Sequence, residues 1–169
     1  YIGRVDQLSH MFWRTMDPKH PAYESAGKLR AVIENAYVEM DAVLGRVLGV
    51  VDENTTLIVL SDHGFAPFYR AFNLNSWLAR EGYVTLTDDT ESEFFQNVDW
   101  KGTRAYGVGF NGLYLNMKGR EGGGIVAEGD RDALLEEITE KLLAVKDPGN
   151  GKQVITKIYR AEDIYSGPF

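Results

Sequence analysis

The stretch Thr56-Leu57-Ile58-Val59-Leu60-Ser61-Asp62-His63-Gly64 decides the fold class. Its first five residues form a continuous, largely apolar and partly β-branched run. Such a run predicts a strand buried on both faces of a mostly parallel sheet. Upstream, Leu29, Val32, Ile33, Ala36, Tyr37, Met40, Val43, Leu44, Val47 and Leu48 recur at three- and four-residue spacing, which predicts one long amphipathic helix over 22–48. Pro21 precedes that helix, and Gly49 and Asp52 follow it, as start and stop signals should. A helix leading into a buried strand is the signature of an α/β fold.

Downstream of Gly64 the pattern changes. A short helix is expected around 74–80 and a strand at 83–87, followed by an acidic loop over 88–99. Strands are expected at 100–108 and 113–117, joined by the turn Gly109-Phe110-Asn111-Gly112. After a glycine-rich loop, Asp130 is placed to cap a helix reaching 145, with Leu134, Leu135, Ile138, Leu142 and Leu143 on one face. A turn at 147–151 then leads to a last strand at 154–159. The expected division is therefore 1–65 as part of an α/β core and 66–169 as an inserted or cap-like α+β subdomain.

Composition narrows the function. The 169 residues carry 18 Lys and Arg against 25 Asp and Glu, a net charge of −7, which argues against a nucleic-acid footprint. A small anionic ligand stays open, because bound cations would reverse the local field. With no cysteine in the chain, any metal must be held by oxygen and imidazole nitrogen. No apolar run reaches the ~20 residues of a membrane span, and no leader pattern is visible. A soluble chain is expected, with its compartment open and the cytoplasm as the working expectation. The sequence opens on Tyr1 rather than Met, and Tyr1-Ile2-Gly3 reads as the tail of a strand. An internal portion of a longer protein is the expectation, and a processed natural terminus the alternative.

Of three histidines, two stand beside aspartates at the ends of expected strands. Asp62 and His63 follow the 56–60 run directly, and ligands in open α/β sheets bind beyond the carboxyl ends of the strands. A carboxylate next to an imidazole suits zinc or manganese. The alternative is a strand-ending turn in which Asp62 caps backbone amides. Asp6 and His10 lie four apart after the strand-like start; a helical turn would put both on one face, and in a loop the spacing would still let them chelate a single ion. Here the alternative is a helix N-cap followed by a surface histidine. Two such pairs, each from a separate loop, fit the way a two-metal phosphoester site is assembled.

The chain also resembles the alkaline phosphatase superfamily, nearest its type I phosphodiesterase and nucleotide pyrophosphatase group and the branch of phosphohydrolases and phosphomutases. The likeness rests on Asp6-Gln7-Leu8-Ser9-His10 with Met11-Phe12-Trp13, and on Ser61-Asp62-His63-Gly64-Phe65. Supporting blocks are 72–78 (Phe-Asn-Leu-Asn-Ser-Trp-Leu), Thr103-Arg104-Ala105-Tyr106, Gly119-Arg120-Glu121 and Tyr165-Ser166-Gly167-Pro168. The resemblance implies a sheet sandwiched by helices, with Asp6 and His10 on one divalent metal and Asp62 and His63 on the other. It implies zinc or manganese as the metal and a small phosphate ester or nucleotide as substrate. The family pattern adds a Thr or Ser nucleophile, an earlier Asp and a late His, none of which has a match here. His20 comes too early to be that His. No catalytic nucleophile is therefore assigned within the chain, and the isolated chain is expected to lack turnover. A phosphomutase, a phosphomonoesterase and a non-catalytic binding module are the rival expectations.

Other residues invite roles that the sequence does not support as strongly. Arg104 and Arg120 could pair with an anion, but arginines in such loops are more often structural. Trp13, Phe65, Phe68, Tyr69 and Phe72 could stack on a nucleobase, yet aromatics of this kind more often fill core. Gly122-Gly123-Gly124 lacks the Lys-Ser/Thr and helix start of a phosphate-binding loop.

Overall fold

The computed structural model describes residues 2–23, 27–88, 90 and 95–167. It is a mixture of helices with one small antiparallel sheet, divided into two compact units, Tyr1–Ala71 and Phe72–Phe169.

In the first unit, helix α1 (Arg4–Met16) packs on helix α2 (Val32–Leu48). The buried side chains are small or branched: Ser9 and Thr15 on α1, Ile33 and Ala36 on α2. Thr15 Oγ1 lies 2.8 Å from the Phe12 carbonyl and 3.0 Å from that of Leu29, tying the end of α1 to the turn before α2. An Arg4–Glu39 ion pair at 2.9 Å joins the two helices at the surface. The strand tail expected at the start is instead helical from Arg4 onward, and Tyr1 lies outside the described residues. The long helix is also shorter than its periodicity predicts. Gly27, at φ +51°, holds a left-handed conformation that no right-handed helix can pass through, and a 3-10 turn (Gly27–Ala31) intervenes before α2.

The strand expected at 56–60 is not formed. Leu57, Ile58, Val59 and Leu60 are 39 to 81% exposed, and no described residue pairs with them. A strand is completed by its neighbour, and hydrophobicity alone does not supply one.

The second unit has its own core. Helix α3 (Leu74–Arg80) opens with Asn73, whose side-chain oxygen accepts the Ser76 amide at 3.0 Å. It closes in a Schellman motif: Gly82, at φ +77°, donates to the Ala79 carbonyl and Tyr83 to that of Leu78. Strands β1 (Ala105–Val108) and β2 (Gly112–Leu115) form the expected hairpin, with Ala105 opposite Leu115 and Val108 opposite Gly112. Gly109 and Asn111 supply the positive φ values its turn needs. Helix α4 (Arg131–Leu143) buries Leu134, Ile138 and Leu142 against Trp77, Leu78, Tyr83, Val84 and Ala105. Asp130 stands at its N-cap, but its side chain makes no capping bond. Helix α5 (Ala161–Ile164) adds a single exposed turn.

Two further expected strands are absent, and each leaves only an isolated bridge. Leu86 bridges Val98 within the first, and Lys146 bridges Gln153 at the edge of the last. Of the acidic loop, residues 89 and 91–94 lie outside the described residues, as does Pro168 of the closing block.

Candidate metal centre

The four residues singled out by the sequence are brought together in the first unit. Asp6 and His10 sit one turn apart on α1, as their spacing requires, with His10 Nε2 3.5 Å from Asp6 Oδ1. From the segment after 60, His63 Nε2 approaches the same Asp6 oxygen to 3.9 Å and lies 3.6 Å from Asp62 Oδ2. Asp6 Oδ1 is thus the centre of the group. It is buried and has no hydrogen-bond partner among the described residues.

The tautomer of His63 is set by its own backbone. Its Nδ1 lies 2.8 Å from the Gly64 carbonyl, an acceptor, so Nδ1 carries a proton and the neutral ring leaves a lone pair on Nε2. That hydrogen bond, then the carboxylates of Asp62 and Asp6, raise the pKa of His63 above the ordinary imidazole value. As the side chains stand, no group of three or more His, Asp or Glu among the described residues is arranged to hold a metal ion. The four lie in a connected row instead of around one point.

His20, the remaining histidine, is a strut. The Ala22 amide donates to its Nδ1 at 3.0 Å, and its Nε2 donates to the Phe68 carbonyl at 3.0 Å. Nearby, Tyr69 Oη donates to Asp17 Oδ2 at 2.6 Å, with the Tyr69 and His20 rings edge to face. These two links fasten the segment after Gly64, which has no regular structure, to the turn that follows α1. The Tyr69 hydroxyl and then the Lys19 amide hold the Asp17 carboxyl below its ordinary pKa. Phe65, on the fastened segment, stacks on Trp13 at 5.2 Å and meets His10 edge-on at 4.9 Å. A cavity of about 660 Å³ opens here, with His10, His20, His63 and Arg14 in its wall.

The model of the family described as type I phosphodiesterase / nucleotide pyrophosphatase matches residues 1–169. The chain belongs to the type I phosphodiesterase/nucleotide pyrophosphatase family. It is thereby a member of the alkaline phosphatase superfamily, and the family's activity is hydrolysis of phosphate esters of the phosphodiesterase and pyrophosphatase type. No curated protein and no solved structure matches the chain.

In this family member the discounted arginines have structural partners. Arg104 lies over the Tyr83 ring at 4.9 Å, and Arg120 pairs with Glu121 at 2.6 Å while donating to the Leu115 carbonyl. Of the aromatics, Phe72 packs against the second unit's core, whereas Trp13, Phe65 and Phe68 line the cavity. Gly124 of the triple glycine serves close packing, since a Cβ there would lie 1.8 Å from the Met117 carbonyl oxygen. Arg14 in the cavity wall is the residue that sequence reasoning passes over. Its only signal is the spacing Asp6, His10, Arg14, four residues at each step.

Proposed function

We propose that this chain is the metal-binding part of a phosphodiesterase or nucleotide pyrophosphatase that acts on a small phosphate ester or nucleotide. In this reading Asp6 and His10 hold one divalent cation and Asp62 and His63 the other, with zinc or manganese suited to oxygen and imidazole donors. The finer architecture belongs to the same proposal: 1–65 as part of a sheet sandwiched by helices, and 66–169 as a cap-like subdomain. The nucleophilic Thr or Ser, a further Asp and the late His match no position in 1–169 and come from outside these residues.

One observation carries the reading. Asp6 Oδ1 is buried without a hydrogen-bond partner among the described residues and faces the Nε2 atoms of His10 and His63 at 3.5 and 3.9 Å. A desolvated carboxylate oxygen without a partner is costly, and a cation is the partner its neighbours suit. Two donors bound tetrahedrally to one zinc at about 2.0–2.2 Å stand roughly 3.3 Å apart. Within each proposed pair the separations, 3.5 Å for Asp6 and His10 and 3.6 Å for Asp62 and His63, are therefore a few tenths of an ångström wider than a bound ion would draw them.

When bound, such ions neutralise phosphoryl oxygens and lower the pKa of a hydroxyl or water. The chain's own residues prepare the site. The Nδ1–H of His63, held on the Gly64 carbonyl, keeps its Nε2 available, and the Phe65 ring, stacked on Trp13, braces His10 edge-on. The test is zinc- or manganese-dependent hydrolysis of an aryl phosphodiester by the protein that carries this chain. Turnover should be lost in Asp62→Ala and in His10→Ala. Full activity of either variant at limiting metal would remove that residue from the ligand set.

A further inference from the structure

The second unit holds a cavity of about 320 Å³ built from its own residues, and three aromatic rings wall it. Trp100 meets Tyr106 at 90° and 5.2 Å, Phe95 meets Tyr106 at 83° and 6.1 Å, and Phe95 meets Trp100 at 56° and 5.7 Å. All three are half-buried. Rings that served only as core would close on themselves at the density of a protein interior, whereas these bound open space. Their surroundings hold them apart. Tyr106, on β1, is backed by its cross-strand partner Tyr114, stacked at 5.8 Å. Asn116 Nδ2 donates to the carbonyls of Trp100, Thr103 and Gly123 at 2.9, 2.8 and 3.3 Å, which ties Trp100 and the glycine edge of the cavity to β2's end. Phe95 sits at φ +62°, a left-handed conformation that a bulky side chain takes only when its surroundings impose it.

The polar side chains of the wall favour positive charge. Glu121 lines the cavity, with Oε1 accepting the Tyr106 hydroxyl at 3.1 Å and Oε2 the Met117 amide at 2.7 Å. Arg120 pairs with it at 2.6 Å, but the Arg120 side chain is 57% exposed against 19% for Glu121, and Arg120 does not line the cavity. Water therefore screens the guanidinium more than the carboxylate. Asn116, also in the wall, is buried, and its Oδ1 has no hydrogen-bond partner among the described residues. Tyr106 and Asn116 have thus given their protons to protein oxygens and are left with acceptor capacity. Aromatic faces are negative as well, and rings set nearly at right angles around one space, beside a carboxylate, match a cation whose charge is spread over methyl groups.

We infer that this cavity is a binding site for a small methylated ammonium ion, with the rings of Phe95, Trp100 and Tyr106 against its methyl groups and Glu121 balancing its charge. The volume sits at the low end of the range for small-molecule sites, about 300 Å³ upward, so the occupant is a compact ion. A bare, strongly hydrated cation is a poor match, because aromatic faces do not replace its water. The site lies wholly within the second unit, and the inference stands apart from the metal reading.

The test titrates the 169-residue chain with tetramethylammonium chloride and with tert-butanol, a neutral molecule of similar shape, at matched ionic strength. The Trp100 Nε1–H and Tyr106 ring signals are followed by NMR. Tetramethylammonium should move both signals and bind at least about fivefold more tightly than tert-butanol, the scale of a partly desolvated cation–π contact. Trp100→Leu keeps apolar bulk and loses the π face. Read at Tyr106, it should weaken tetramethylammonium about fivefold and tert-butanol less than about twofold. Phe95→Leu should act in the same direction. Equal affinity of the wild type for the two probes, or a Trp100 signal that tetramethylammonium leaves unmoved, would overturn the inference. So would folded Trp100→Leu and Phe95→Leu variants that both bind tetramethylammonium as the wild type does. Unchanged Ala105 and Leu115 methyl signals report that a variant is folded, and where one is not, the wild-type comparison of the two probes decides.

Discussion

The Nε2 of His20 stands 3.0 Å from the carbonyl oxygen of Phe68, 48 residues away, while its Nδ1 accepts the amide of Ala22. Both ring nitrogens are therefore used, and the neutral Nε2–H tautomer is fixed. The segment held in this way carries His63 and Phe65 and has no ladder or helix of its own to fix them. Loss of the strut should let His63 drift from Asp6. His20→Ala is expected to weaken zinc binding several-fold and to shift the His10 ring protons as Phe65 moves off them. His20→Gln offers an acceptor and a donor at similar reach, and should restore both. Calorimetry with zinc and the His10 ring signals check this, and an unchanged zinc affinity in His20→Ala would show that the strut does not position the site.

Asp6 separates a ligand role from a structural one. Its Oδ1 is buried and without a hydrogen-bond partner among the described residues, so in the absence of metal that oxygen is left unsatisfied. Asp6→Asn keeps the shape and removes the charge. The metal-free variant should melt at the same temperature as the wild type or above it, while its zinc affinity falls at least about tenfold, the scale of a lost ligand or support in a metal site. A variant that melts lower without metal and binds zinc normally would make Asp6 a structural residue.

The contrast between the units shows what a single sequence can express. Helix α3 is legible because its signals are local: Asn73 caps one end, Gly82 closes the other, and Trp77 and Leu78 fill the inner face. The hairpin is legible for the same reason, from Gly109 and Asn111 in its turn, and α4 from the 134, 138, 142 stripe. The run at 56–60 has every local mark of a strand and forms none, because pairing is a property of two segments. At the candidate site, the pairing of Asp6 with His10 and of Asp62 with His63 is legible from their spacing, and the structure sets each pair within 3.6 Å. The place of Arg14 in the cavity wall is not, since an arginine on a helix face carries no motif of its own.

The Asp17–Tyr69 link predicts a pH dependence. The Asp17 carboxyl is held below its ordinary value of 3.8, first by the Tyr69 hydroxyl and then by the Lys19 amide. For a carboxylate whose pKa is lower folded than unfolded, the stabilisation is complete above the unfolded value. It is lost as pH falls through the folded one. The link should therefore hold at neutral pH and fail below about pH 4, the ordinary carboxylate range. Tyr69→Phe should move the Asp17 titration, followed by carboxyl-carbon NMR, back toward its ordinary value and leave neutral-pH stability little changed. An Asp17 midpoint at or above the ordinary value in the wild type would contradict the link.

Gly124 offers a prediction for the second unit that is independent of any ligand. A Cβ built there would lie 1.8 Å from the Met117 carbonyl oxygen and 2.4 Å from its carbon, both backbone atoms that no rotamer change can clear. The same stretch is tied in by the Lys118 amide donating to the Val126 carbonyl and by the Ile125 and Val126 amides donating to that of Asn116. Moving the backbone would break those bonds and disturb Met117 and Val126, both buried in the core. Gly124→Ala should therefore destabilise this unit by about 2 kcal/mol or more, within the range for overpacking and lost backbone bonds. Gly122→Ala, with nothing within 4 Å of its Cβ, should cost little. Chemical denaturation of the two variants side by side checks the pair, and equal stability would mean that the loop yields where the close approach says it should not.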